Sequence, residues 1–381
     1  MNSGYQLGIG ADDTNDDLPH LIICWPGWAQ ATIRKGLRSS SATSYLAPQF
    51  IGRSNLHVLL NAQVTHVLQT STEAFRTVEF AQDLNGPRFN LTAVKEIVLS
   101  AGSIGTPNIL LHSGIGNSST LTSLGIQPLV NLPSVGQNLS DHALLSVSFL
   151  VNSTDTYDTA ERNATLAAEQ LAQWNTTRSG PYVDNPLSQM NWLRVSGLAG
   201  QFPDPAAGPN TAHYELIVSN ELFGFPLPTG NYLSVVPAVV SPTTRGSVML
   251  NSNDSLADPV INPNLLGSEV DLFIMQEALR SSLCFTSAPA WAGYVISPVG
   301  IDFNSNEPEL DNFIQANSGT MFYPVGTASM SPKSATWGVV DPDLRVKGLR
   351  GLRIVDLSVV PFIPTAHTQA ATYIIEERAA D

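Results

Sequence analysis

The segment Glu96–Gly116, EIVLSAGSIGTPNILLHSGIG, constrains the fold of this chain more than any other. An apolar strand runs straight into the small residues Ala101, Gly102, Ser103 and Gly105, and a second apolar stretch follows. Small residues permit a tight turn, Pro107 suits the start of a helix, and Gly114 and Gly116 stop it. The spacing predicts a strand–turn–helix unit. In that arrangement the N–H groups at the helix start can hold an anion. The chemistry of a chain built this way is expected where the C-terminal ends of its apolar strands converge.

Further elements read from local pattern. NLHVLLNAQVTHVL (55–68) alternates at Val58, Leu60, Ala62 and Val64 and predicts a strand or strand pair. Residues 150–215 are polar and carry several prolines, as in FPDPAAGPN, so they read as surface helices and long loops. Residues 230–265 alternate and turn, predicting three antiparallel strands. Helical spacing covers Val270–Phe285. LRIVDLSVVP reads as a buried strand with an acid at its end, and ATYIIEERAA as an amphipathic last helix. A length of 381 residues accommodates two or three domains.

Composition removes several function classes. Acidic residues outnumber basic ones by 32 to 18, for a net charge of -14, and such a surface repels a nucleic-acid backbone. Cys24 and Cys284 allow at most one disulfide and no zinc cluster, and they read as buried thiols. The seven histidines form no HExxH pair, so no metal site is expected. The acidic run Asp12–Asp17 lacks the Gly and Glu of a calcium loop and reads as solvated. No apolar run reaches the roughly 18 residues of a membrane span.

Residues 1–20 show neither the basic nor the apolar region of a signal peptide, which leaves localisation open. Sequons at Asn90, Asn117, Asn138, Asn152, Asn163, Asn175 and Asn253 point instead to descent from a secreted glycoprotein. Walker A and G-x-S-x-G motifs are absent, so a triad of Asp356, Ser358 and His367 lacks its elbow. Gly8-Ile9-Gly10 is followed by Ala-Asp-Asp and is not a complete G-x-G-x-x-G.

Two segments stand out chemically: the 96–116 unit, and GTMFYPVGTASM (319–330) together with VDLS (355–358) and PTAHTQ (364–369). A histidine just past a proline-rich turn and near a strand-end acid is an acid/base candidate. The alternative for His367 is a satisfied polar residue.

Together with GLRSSSATSYL (36–46), NLHVLLNAQVT (55–65), NLSDH (138–142), FPDPAAGPN (202–210) and SPTTRGSV (241–248), these segments resemble the glucose–methanol–choline family of FAD-dependent oxidoreductases. The likeness runs in order along the whole chain, and fungal aryl-alcohol oxidases are especially similar. It implies a mixed α/β and α+β fold with a partial, discontinuous Rossmann-like FAD-binding domain (1–135 and 336–381). An antiparallel-sheet substrate domain (136–335) would lie between those stretches. It also implies hydride transfer from a primary alcohol to the flavin of FAD, with oxygen or another acceptor taking the electrons. A role in tailoring a secondary metabolite would suit altered active-site residues.

Carried over by position, Val64 matches the residue that holds the adenine end of FAD. Asp356 and Leu357 match the strand-end segment beside the cofactor, and Thr368 and Gln369 lie next to the flavin. His367 matches the second active-site histidine. Phe322 matches the aromatic beside the first catalytic position, and Phe223 is a candidate gate; core packing is the alternative for both.

The family's first catalytic histidine is replaced here by Tyr323, in Tyr-Pro-Val-Gly-Thr. A phenol with pKa near 10 starts protonated, whereas imidazole near 6.5 does not. Tyr323 is therefore expected to donate a hydrogen bond, leaving base work to His367. Leu357 replaces a smaller residue and is expected to crowd the cofactor. The family's N-terminal βαβ unit, with its G-x-G-x-x-G, is not among these residues. The rival reading is a truncated, catalytically impaired relative or an incomplete gene model.

Overall fold

The computed structural model describes residues 21–83, 85–198, 200–224 and 229–381. The acidic run 12–17 and Gly8–Gly10 lie outside the described residues. Contacts divide the chain into two units, each assembled from three separated stretches. The first comprises 1–58, 143–241 and 269–319; the second comprises 59–142, 242–268 and 320–381. The expected substrate segment 136–335 is thus shared, with 136–142, 242–268 and 320–335 in the second unit.

In the second unit, β1 (Gln63–Ser71), β2 (Ala74–Ala81) and β3 (Phe89–Thr92) form an antiparallel sheet. The strand expected over 55–68 forms only from Gln63. Leu59 and Leu60 are exposed and Asn61 takes φ +52, so no partner strand covers them and the extended run is broken. β4 (Ile97–Leu99) leads into α1 (Gly102–His112), the strand–turn–helix order that the 96–116 pattern predicts, but the helix starts earlier than expected, at Gly102, and takes Gly105 and Pro107 inside it. Gly102 takes φ +75 at that turn, a conformation a side chain would strain.

β5 (Gln137–Leu139), β6 (Gly246–Met249) and β7 (Val260–Asn262) pair antiparallel. This pairing is what draws 242–268 into the unit. β8 (Leu352–Ile354) returns to lie parallel to β4, Leu352 opposite Ile97 and Ile354 opposite Leu99. The core gathers Phe75, Leu110, Ile115, Val340 and Ile354, all fully buried. Burying each such side chain stabilises the fold by about 1.5–3 kcal/mol before entropy is counted. α2 (Gln369–Ala380) lays Ile375 and Ala379 on this core and leaves Ile374 exposed, as an amphipathic helix does.

Among the described residues, the first unit is built around an eight-stranded sheet. Strands Leu21–Trp28, Leu187–Val195, Tyr214–Ser219 and Tyr232–Val239 run antiparallel in that order, followed by Ala143–Leu145. Helix Glu269–Ser287 buries Ile274, Met275, Ala278 and Leu279, the spacing of one helical face. Its Cys284 is half-buried rather than buried.

Strand Leu187–Val195 corrects the loop-and-helix reading of 150–215. Only Met190, Leu193 and Val195 are buried along it, and polar residues separate them. No described helix is long and apolar enough to cross a membrane.

Candidate active site

β4 and β8 end side by side in the second unit, and Asp356 sits just beyond β8. Its carboxylate is buried and used on both oxygens. Oδ1 accepts the Ser358 N–H at 2.8 Å and caps the single turn Leu357–Val359. Oδ2 accepts the Gly102 N–H at 3.0 Å and the Thr106 hydroxyl at 2.6 Å. The α1 start expected to hold an anion therefore holds a carboxylate of the chain itself, and a phosphate placed there would be repelled. Asp356 instead locks the ends of the parallel pair together.

The loop 320–325 and the turn before α2 bring the two proton-carrying residues together. The Tyr323 hydroxyl and His367 Nδ1 are 3.0 Å apart, with ring centroids at 5.4 Å. The buried His142 ring stands edge-on to Tyr323 at 5.9 Å. Asp141 accepts the Tyr323 N–H at 3.0 Å and the Thr320 hydroxyl. Burial pushes the Asp141 carboxyl up, while the hydrogen bonds from Thr320 and from the Tyr323 and His142 backbone pull it down. Asp141, His142 and Thr320 are not among the sequence-predicted site residues; the acid–histidine ending of NLSDH marks the first two, and Thr320 lies in the GTMFYPVGTASM segment.

The other expected residues differ in environment. Phe322 is 81% exposed, which excludes core packing, and takes φ +61, unusual for an aromatic residue. Leu357 is half-buried and opens the Leu357–Val359 turn. Thr368 is buried at the N-cap of α2, and Gln369 is exposed on its first turn. Val64 lies at a bulge in β1, where the register with β2 shifts between Val64 and His66. A bulge leaves a backbone group outside the ladder. Phe223 belongs to the first unit, half-buried, with its N–H on Ser234 Oγ at 2.9 Å and its carbonyl accepting from Ser146.

The second unit also buries polar atoms that no protein group satisfies: Ser103 Oγ, Asn108 Oδ1, Ser140 Oγ and Ser358 Oγ. Each such atom costs roughly 1–3 kcal/mol unless a ligand or water meets it. Beside Gly102, no atom lies within 4 Å of where a Cβ would stand. Open space and unmet hydroxyls next to the β4–α1 turn fit an uncharged, hydrogen-bonding part of a cofactor rather than its phosphates.

Comparison with known proteins agrees with this arrangement. The N-terminal GMC oxidoreductase model matches residues 1–144 and the C-terminal one residues 242–375. The chain is 40% identical to dehydrogenase eriK of Hericium erinaceus over 93% of its length, covering 61% of that protein. It is 39% identical to a pyranose dehydrogenase of Agaricus campestris, covering 97% of this chain and 62% of that one. Among solved structures, a variant of Aspergillus oryzae formate oxidase superposes with TM-score 0.84 at 29% identity, covering 92% of this chain and 63% of that one. A fungal aryl-alcohol oxidase superposes with TM-score 0.79 at 25% identity, covering 93% and 66%. The chain spans about three-fifths of the length of the curated relatives it matches. With both family segments matched and the β4–α1 and Tyr323–His367 segments falling inside them, the chain belongs to the GMC oxidoreductase family.

Proposed function

We propose that the chain serves FAD-dependent oxidation of an alcohol carbon on a small molecule, with oxygen or another acceptor taking the electrons. The single observation carrying this reading is the 3.0 Å bond between Tyr323 and His367 Nδ1. The names of the relatives support it: they are dehydrogenases, one of pyranose, and oxidases. When bound, FAD would supply the hydride acceptor.

His367 is the base. Imidazole changes charge near neutral pH, and tying Nδ1 to the phenol leaves Nε2 to take the hydroxyl proton of the substrate. A neutral ring that donates Nδ1–H to the phenol oxygen keeps its lone pair on Nε2. The resulting imidazolium keeps the bond to Tyr323, and the phenol proton is then available to the substrate oxygen. Phe322, exposed beside Tyr323, offers apolar surface for the carbon frame.

The Gly102–Ser103 turn, Ser358, Leu357, Thr368 and Gln369 would hold the cofactor beside this pair, and the bulge at Val64 would hold its adenine end. The test is to add FAD to the purified chain, record the visible spectrum, and then add alcohols and sugars without oxygen. Flavin bands that bleach with substrate are expected. Absence of any flavin band after FAD addition would overturn the reading.

A further inference from the structure

We propose that Asp141 is a positioning residue which, through Thr320, sets Tyr323 at hydrogen-bonding distance from His367. This rests on the reading of Tyr323 and His367 as the reactive pair. Four successive residues of the 320–323 loop donate into this neighbourhood. The Thr320 hydroxyl and the Tyr323 N–H go to the two oxygens of Asp141. The Met321 N–H goes to the His142 carbonyl at 3.0 Å, and the Phe322 N–H goes to Thr320 Oγ1 at 2.8 Å. A mutual pair between Ser140 and Val325, at 3.0 and 2.9 Å, closes the same two segments further along.

The chemistry of the clamp is not that of ordinary packing. A carboxylate 6% exposed is an expensive residue to bury, and an apolar side chain would fill the space at lower cost. A carboxylate offers what an apolar group does not: two oxygens that accept directed, charge-assisted bonds from an irregular loop. Those bonds hold Phe322 at φ +61, a conformation that costs on the order of 1–3 kcal/mol and persists only when its surroundings fix it. Phe322 directly precedes Tyr323, so relaxation of its φ would swing the phenol. Strain is thus stored one residue before the proton-carrying side chain, and Asp141 maintains it.

The full-length chain, labelled with ¹⁵N-histidine, tests this without any need for turnover. The His367 ring signals are assigned by their loss in His367→Gln, and Tyr323→Phe supplies the reference for a broken pair. Thr320→Val keeps the shape and removes the hydroxyl; Thr320→Ser keeps the hydroxyl. Thr320→Val and Asp141→Asn are expected to move the His367 nitrogens toward their Tyr323→Phe values, and Thr320→Ser to leave them as in the parent.

In FAD-loaded protein, Thr320→Val should lower kcat by roughly 100-fold with KM little changed. Folded Thr320→Val protein with unchanged His367 signals would overturn the proposal, whether or not Asp141→Asn folds. If the parent oxidises no alcohol while the His367 signals follow the expected pattern, positioning stands and the alcohol-oxidation reading fails.

Discussion

The Tyr323 phenol and His367 Nδ1 share a 3.0 Å hydrogen bond across 44 residues of sequence. One partner is a phenol and the other an imidazole, and the proposed reaction assigns proton donation to the first and acceptance to the second.

Removing the base is expected to cost more than removing the donor. His367→Gln should lower kcat of the FAD-loaded chain about 10²–10⁴-fold. Tyr323→Phe should cost less, because it removes one hydrogen bond to a charged ring, worth about 1.5–3 kcal/mol. Tyr323→His, which restores a second imidazole, should raise turnover. Steady-state kinetics on one alcohol compare all three, and an unchanged rate in Tyr323→His would show that this position does not limit proton transfer.

Asp356→Ala should destabilise the second unit by about 2–4 kcal/mol. It strands the Gly102 N–H and the Thr106 hydroxyl and uncaps the Leu357 turn. Asp356→Asn, which keeps an acceptor on one side, should cost less. Urea unfolding followed by far-UV circular dichroism orders the two variants, and equal midpoints would refute the clamp.

Stability should also fall on mild acidification, through His112. Burial, and secondarily the neighbouring His66, lower its pKa from 6.5 to about 4, with Asp254 opposing. Between those values the unfolded chain binds a proton that the folded chain refuses. The contribution of His112 is therefore fully present above pH of about 6.5 and is lost as pH drops toward about 4. His112→Gln should flatten this part of the stability curve, as urea midpoints taken across the window would show.

The seven sequons should differ in use if the chain is expressed through a glycosylating secretory host. Asn138 spends its Nδ2 on Ser329 Oγ at 2.9 Å and on the Pro361 carbonyl at 3.1 Å, while Oδ1 accepts from Arg245. It should stay unmodified. Asn90, Asn175 and Asn253 are exposed and open to the transferase. Peptide mass spectrometry after enzymatic deglycosylation reads each site, and a glycan on Asn138 would contradict the network.

What was legible in the sequence was what is local. The β4–α1 unit could be read because strand, turn and helix follow one another within 96–116. Strand Leu187–Val195 could not, because its buried residues are spaced irregularly among polar ones and its partners come from distant stretches. The apolar run 55–62 misled for the opposite reason: its residues have strand chemistry but no sheet to join. In the site, Tyr323 and His367 were legible as residue types in a motif. Asp141 was not, because its meaning lies in Thr320, 179 residues away, and only folding brings them together.

The parallel pairing of β4 with β8 also sets a clock on synthesis. Glu96 and Arg353, whose two-pronged ion pair flanks that pairing, are 257 residues apart. At about 5–20 residues per second, a ribosome needs roughly 13–50 s to deliver the second after the first. During that interval the Ile97–Leu99 edge has no strand to accept it, and the nascent chain offers an open β edge to whatever it meets. Slowing translation late in the message, or removing holdase chaperones, should therefore reduce the yield of native protein more than the same change early in the message.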